Sequence, residues 1–180
     1  MAATTQLSRT QIYSGGGEVK YNIHSGDNST TWLKNQLVKL SSGKIAVVLA
    51  TASPGQLDSN ADITSGTKLF LALDAVAAAT SDKVGVQRIL STTRFRAPLL
   101  DSNSASIVPA TEAMIGTQYT MLQDATGQFA PDHYTTANPT CEITAVEAES
   151  EPWYSASMYL DSSGNRYSFV EFKILGLSDV

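Results

Sequence analysis

The chain has 180 residues, of which 42% are hydrophobic and 16% charged, and it carries a net charge of −5. That length lies in the range of one domain and buries a substantial core without cross-links. The negative total gives no support to generic nucleic-acid binding. A single cysteine, Cys141, excludes an intramolecular disulfide and is expected to behave as a small buried hydrophobe.

The opening residues Met1-Ala2-Ala3-Thr4-Thr5-Gln6-Leu7 have no basic stretch followed by an apolar one, as a secretory leader would. No apolar run approaches the ~18 residues of a spanning helix. The expectation is a protein made in a reducing cytoplasm, with no membrane partner. Charge is unevenly spread. Residues 1–96 hold ten Lys or Arg against six Asp or Glu, whereas residues 97–180 hold two against eleven. Strands interleave in β folds, so this split suggests a polar molecule without locating its poles.

Residues 1–18 contain little that could enter a core and end in Gly15-Gly16-Gly17, a joint with few conformational restraints. They are expected to form a flexible N-terminal arm that orders on a partner, ahead of a single β-rich domain over 19–180. From Val19 the pattern is that of strands. Ser25 to Ser29 reads as a turn, and the run from Lys34 to Val48 places two apolar strands around Ser41-Ser42-Gly43, a hairpin. Pro54 to Gly66 reads as a surface loop. Thr67 to Ser81 is the one stretch with helical composition, yet Lys68 to Leu73 fits a buried strand followed by a short helix. Strand character resumes from Lys83 to Arg96.

The last third repeats this logic. Met114 to Leu122 reads as a strand entering a turn at Asp124 to Gly127, and Cys141 to Val146 alternates as a half-buried strand does. Ser155 to Leu160 and Arg166 to Ile174 flank a turn at 161–165, with Tyr167, Phe169, Val170, Phe172 and Ile174 as candidate core. The fold class expected is all-β: a small barrel or sandwich of short antiparallel strands, with at most one or two short helices.

The segment from Thr30 to Lys44, Thr-Thr-Trp-Leu-Lys-Asn-Gln-Leu-Val-Lys-Leu-Ser-Ser-Gly-Lys, resembles a phrase of tailed-bacteriophage capsid decoration (cement) proteins. There an aromatic residue precedes a tight turn, an apolar strand and a Ser-Gly-Lys hairpin tip. Asn35 stands where glycine is usual, and asparagine tolerates the same left-handed backbone. A second likeness covers Phe95-Arg96-Ala97-Pro98-Leu99, Ile115-Gly116-Thr117-Gln118-Tyr119 and Asp124-Ala125-Thr126-Gly127. Both motifs encode turns and strands, not chemistry. The resemblance implies a small β-barrel bound to the outer capsid surface of a virion. Its partner would be the major capsid protein, with neighbouring copies beside it, and it would stabilise the shell against genome pressure. Another virion piece, such as a head-fibre or tail subunit, or a carbohydrate-binding module presenting Trp32, Trp153 and Tyr154, is the alternative.

Catalytic chemistry finds little footing. His24 and His133 are isolated, no phosphate-loop or nucleophile-elbow pattern occurs, and Asp58, Asp62 and Asp101 sit in turn-like surroundings. Neither a metal nor a cofactor is expected. Glu147, Glu149 and Glu151 beside Trp153 and Tyr154 hold the ingredients of a sugar site, but alternate glutamates more simply form a solvated strand edge. The chain is therefore read as a non-enzyme. Arg94-Phe95-Arg96 is the sharpest basic feature. In a strand both guanidinium groups share one face and Phe95 takes the other. Arg94, Phe95, Arg96 and Trp32 are the residues expected to meet a partner.

Overall fold

Short apolar runs broken by Asn, Ser and Gly yield strands, because those breakers supply the backbone angles that reverse a chain. A computed structural model describes residues 11–14, 19–25, 31–48, 55–57, 59, 62–76, 83–103, 106–124, 127–147 and 169–179. Its strands are β1 (Gln11–Ser14), β2 (Val19–Ser25), β3 (Leu37–Ser41), β4 (Lys44–Val47), β5 (Gly55–Leu57), β6 (Leu69–Ala72) and β7 (Lys83–Arg88). They continue with β8 (Arg94–Asp101), β9 (Ser106–Val108), β10 (Gln118–Gln123), β11 (Phe129–Asp132), β12 (Cys141–Val146) and β13 (Phe169–Ile174). A single 3-10 turn, Glu112–Met114, is the helical element among the described residues.

Two sheets organise these strands. β8, β11, β10, β12 and β13 pair in that order, and β13 pairs back to β8, closing a five-stranded barrel. All its pairings are antiparallel except the one that joins Asp132 of β11 to Leu100 of β8. β1 and β9 add to β8, and β5 adds to β10. The second sheet runs β2-β7-β6-β3-β4, antiparallel throughout, and is curled. Closure leaves the barrel strands without a free edge over their paired length, which limits unwanted strand addition.

Alternation along the strands sorts the cores. Leu37, Leu69 and Leu71 join the barrel residues Phe95, Leu99, Met121, Ile143 and Phe172 in one cluster. Their neighbours Val38, Phe70 and Ala72 face the other way, with Trp32, Ile45 and Val86, in a second. β6 is thus buried on both faces, which explains its unbroken Leu-Phe-Leu-Ala sequence. At the barrel centre Phe95 stacks on Phe172 with centroids 5.6 Å apart, and Phe129 meets Phe95 edge-on at 5.3 Å. Burying such rings is worth about 1.5–3 kcal/mol each, so this trio is a major part of the barrel's cohesion.

The all-β expectation holds. The hairpin at Ser41 to Lys44 is present, with Ser42 at φ 50° and Gly43 at φ 78°, the pair of positive angles that a two-residue reversal requires. Asn35 adopts φ 67°, the left-handed conformation anticipated for it. Other boundaries move. Of the expected arm, Gln11–Ser14 pair with β8, so among the described residues strand pairing is found ahead of Val19. The rest of 1–18 lies outside the described residues. The loop over 54–66 contains β5, and Met114 to Thr117 form a 3-10 end and a turn, with the strand starting only at Gln118. β13 pairs with β12 and β8. The strand expected over 155–160, and most of the short helix expected after Leu73, lie outside the described residues.

Candidate functional site

The charge bias of the two chain halves persists among the described residues, although β1 and β5 of the first half pair with barrel strands of the second. Between residues 19 and 90, the curled-sheet side, the described positions hold seven Lys or Arg and two Asp. Between 91 and 179, the barrel side, they hold three Lys or Arg and eight Asp or Glu. Of the eight acidic groups after residue 90, Asp124, Asp132 and Glu147 are buried, and Glu142 and Glu171 lie against Lys173 and Arg94. A cleft of about 360 Å³ lies among Lys39, Ser41, Asp62, Thr64, Thr67 and Lys68, beside the segment that follows β13. Its lining mixes two lysines with one aspartate, and the Thr67 hydroxyl is already committed to the carbonyl of Thr64.

Arg94 and Arg96 lie on β8, flanked by β1 on one side and β13 on the other. Both are half-buried. Arg94 donates Nη1 to the carbonyl of Ser91 at 3.2 Å and holds Nε 3.9 Å from Glu171 Oε1. Glu171 also accepts the Thr144 hydroxyl at 2.9 Å. One strand further on, Lys173 Nζ stands 2.8 Å from Glu142 Oε1, and Gln118 Nε2 donates to Glu142 Oε2 at 3.2 Å. The outer barrel wall is therefore a ladder of cross-strand polar pairs. Lys173, followed by Gln118, holds the Glu142 carboxyl below its ordinary range. Arg94 thus spends part of its charge inside the chain, while a half-buried side chain keeps surface for a partner.

The other two expected partner residues are corrected. Phe95 and Trp32 are each 1% exposed, one in the barrel core and one in the core behind the curled sheet. An aromatic ring so placed contributes area to folding and has none left for a partner. The strand that sets Arg94 and Arg96 outward necessarily drives Phe95 inward. Glu147 is corrected too: it is 6% exposed, and its Oε2 accepts the Phe169 N–H at 3.3 Å, so it is no solvated edge residue. Glu149, Glu151, Trp153 and Tyr154 lie outside the described residues.

One polar centre escaped the sequence reading. Asp132 is fully buried and accepts the Ser102 N–H at 3.0 Å and the Tyr134 N–H at 3.2 Å on Oδ1. Its Oδ2 accepts the Ser102 hydroxyl at 2.7 Å and Gln56 Nε2 at 3.4 Å. Four donors from three separate segments meet a single carboxylate beside the parallel junction of β11 with β8. Asp-His-Tyr-Thr reads locally as a surface loop, and Tyr134, 60% exposed, fits that reading. Only the tertiary pairing shows that Asp132 points inward as a structural bracket. Its neighbour His133 packs its ring 5.8 Å from that of Tyr119. Among the described residues no three His, Cys, Asp or Glu gather as a metal would need. Compared with known protein families, with curated proteins and with solved structures, the chain matches none.

Proposed function

We propose that the protein is a structural virion subunit that binds the outer surface of a phage capsid and stabilises the shell. Its partners on this reading are the major capsid protein and neighbouring copies of itself, and the binding is not catalytic. The observation that supports the reading is the division of charge along the chain, with ten Lys or Arg against six Asp or Glu in residues 1–96 and two against eleven in residues 97–180. Charge so divided would favour complementary surfaces on a shell and on neighbouring copies, with like-charged misorientations penalised. The two motifs that resemble decoration proteins supply the hairpin β3–β4 and the strands β8 and β10 of this same frame.

On this reading Lys39 and Lys68 beside the cleft, with the half-buried Arg94 and Arg96, would supply the cations that meet capsid carboxylates. Arginine suits such contacts because its planar fork binds a carboxylate through two hydrogen bonds and is weakly hydrated. The sugar-module alternative loses its first aromatic platform, since Trp32 is buried. Co-sedimentation with purified heads tests the reading. The expected result is saturable binding at a copy number close to that of the capsid subunits. A few copies per particle instead would indicate a fibre or tail component. Retention on a glycan column with no affinity for heads would overturn the proposal.

A further inference from the structure

β8 is longer than any one of its neighbours. On one side β13 pairs with Phe95 to Pro98 and β9 continues along Leu99 to Asp101. On the other side β11 reaches β8 only at Leu100, and the stretch from Arg94 to Arg96 is filled by β1. β1 is thus a four-residue insert at a seam that the barrel strands leave open. Its register is Gln11↔Arg96, Ile12↔Phe95 and Ser14↔Arg94, with an irregularity between Ile12 and Ser14. The next strand, β2, belongs to the other sheet, and the four residues between them are Gly15-Gly16-Gly17-Glu18.

We propose that the seam at Arg94–Arg96 is an acceptor edge for strand exchange, taking residues 11–14 from a second copy of the chain in place of its own. Backbone pairing with β8 is the same whether the donor strand belongs to the same chain or to another, because the register depends only on the two segments. The balance is therefore set by local concentration. A short connector supplies an effective concentration on the order of millimolar, and copies crowded side by side reach a similar regime. The connector sequence holds three adjacent glycines, residues without a Cβ. A four-residue strand has little pairing to lose on release. Exchange of an identical element is a low-cost route from monomers to joined copies, and strand addition at an open edge needs no new side-chain surface. The inference concerns the free chain and holds whatever surface the protein binds.

Residues opposite each other in antiparallel pairs have Cβ atoms about 4.5–5.5 Å apart, within reach of a disulfide with only small adjustment. Two single variants, Gln11→Cys and Arg96→Cys, are mixed at protein concentrations from roughly 10 μM to 1 mM, near the effective concentration of the connector, then oxidised. A bridge between positions 11 and 96 in that mixture can only join two chains. The expected result is a covalent dimer, identified by peptide mapping of that bridge, whose yield rises at least tenfold across the range. The double variant at low concentration gives the same bridge within one chain. If the mixture yields no 11–96 bridge at any concentration, or only 11–11 and 96–96 bridges, while the double variant closes internally, exchange is ruled out. The pair Ser14→Cys and Arg94→Cys repeats the test should replacing Arg96 impair folding.

Discussion

Arg94 Nε and Glu171 Oε1 lie 3.9 Å apart on the outer barrel wall, where Glu171 is shared with the hydroxyl of Thr144. Exposed or half-exposed pairs of this kind contribute about 0.2–1 kcal/mol. Replacing Arg94 and Arg96 together by alanine is therefore expected to shift the melting temperature by only a few degrees. Attachment to heads should respond far more. Truncating one member of a desolvated interfacial pair costs about 2–5 kcal/mol, and a rim charge much less. Binding of the double variant, measured by co-sedimentation across a salt series, should fall at least tenfold. Unchanged occupancy at every salt concentration would take these arginines out of the interface.

Phe95 is expected to behave in the opposite way. Its ring touches both Phe129 and Phe172, so Phe95→Ala removes the centre of the barrel and should cost about 3–5 kcal/mol in denaturant unfolding. A loss below about 1 kcal/mol would contradict the core assignment. For Trp32, Nε1 is buried without an acceptor among the described residues. Trp32→Phe should therefore cost much less than Trp32→Ala, since the smaller ring removes a donor that gains nothing in place.

These two aromatics show where the sequence was legible and where it was not. Turns are local, so the composition of Ser41-Ser42-Gly43 disclosed the hairpin and Asn35 its left-handed backbone, whereas the positive φ of Ser42 was not signalled by its residue type. Cys141–Val146 alternates, and its boundaries as β12 are those the alternation indicates. Alternation put Phe95 on the face opposite Arg94 and Arg96, but it was expected to meet a partner and not to centre a three-ring cluster. That cluster needs β11 and β13 from far along the chain. Long-range pairing also hid β5, whose three residues join β10 from inside a loop-like composition. Asp132 and Glu147 were missed for the same reason: a carboxylate is read as exposed until its donors, distant in sequence, are brought to it.

The Glu142–Lys173 pair gives a pH prediction. The ammonium of Lys173, then Gln118, holds the Glu142 carboxyl below its ordinary range. The folded form therefore binds its proton less readily than the unfolded chain, and the contribution is fully present above the unfolded value. It fades as pH falls from about 4.5 through the depressed folded value. Melting of the parent and of Glu142→Gln should differ slightly at neutral pH and converge in that acid window. A difference that persists unchanged at the acid end would assign the effect to packing.

Gly127 closes the β10–β11 hairpin at φ 80°, and a Cβ built there would stand 3.0 Å from Cβ of Gln36, itself 1% exposed. The left-handed angle alone costs an alanine about 1–2 kcal/mol, and Gln36 must also give way. Gly127→Ala should destabilise by more than that angle term. Gly43→Ala, with a similar angle and open space around its Cβ, should cost the angle term alone. Equal losses at both positions in urea unfolding would mean that the hairpin does not press on Gln36.

Cys141 is fully buried on β12, and its Sγ donates to the carbonyl of Tyr119 at 3.3 Å. Burial is the main reason that the thiol is pushed well above its ordinary range. Since the thiolate is the reactive form, native protein at pH 8 should resist iodoacetamide and react only on unfolding. The linkage runs opposite to that of Glu142. A raised folded value means that the unfolded chain loses its proton first, so stability is fully present below pH 9 and declines above it. Cys141→Ala should remove that part of the alkaline decline, and comparison of the two melting curves between pH 8 and pH 10.5 isolates it from the tyrosines that titrate nearby. Rapid labelling of the native protein, or identical alkaline slopes in the two proteins, would show that the thiol reaches solvent without unfolding.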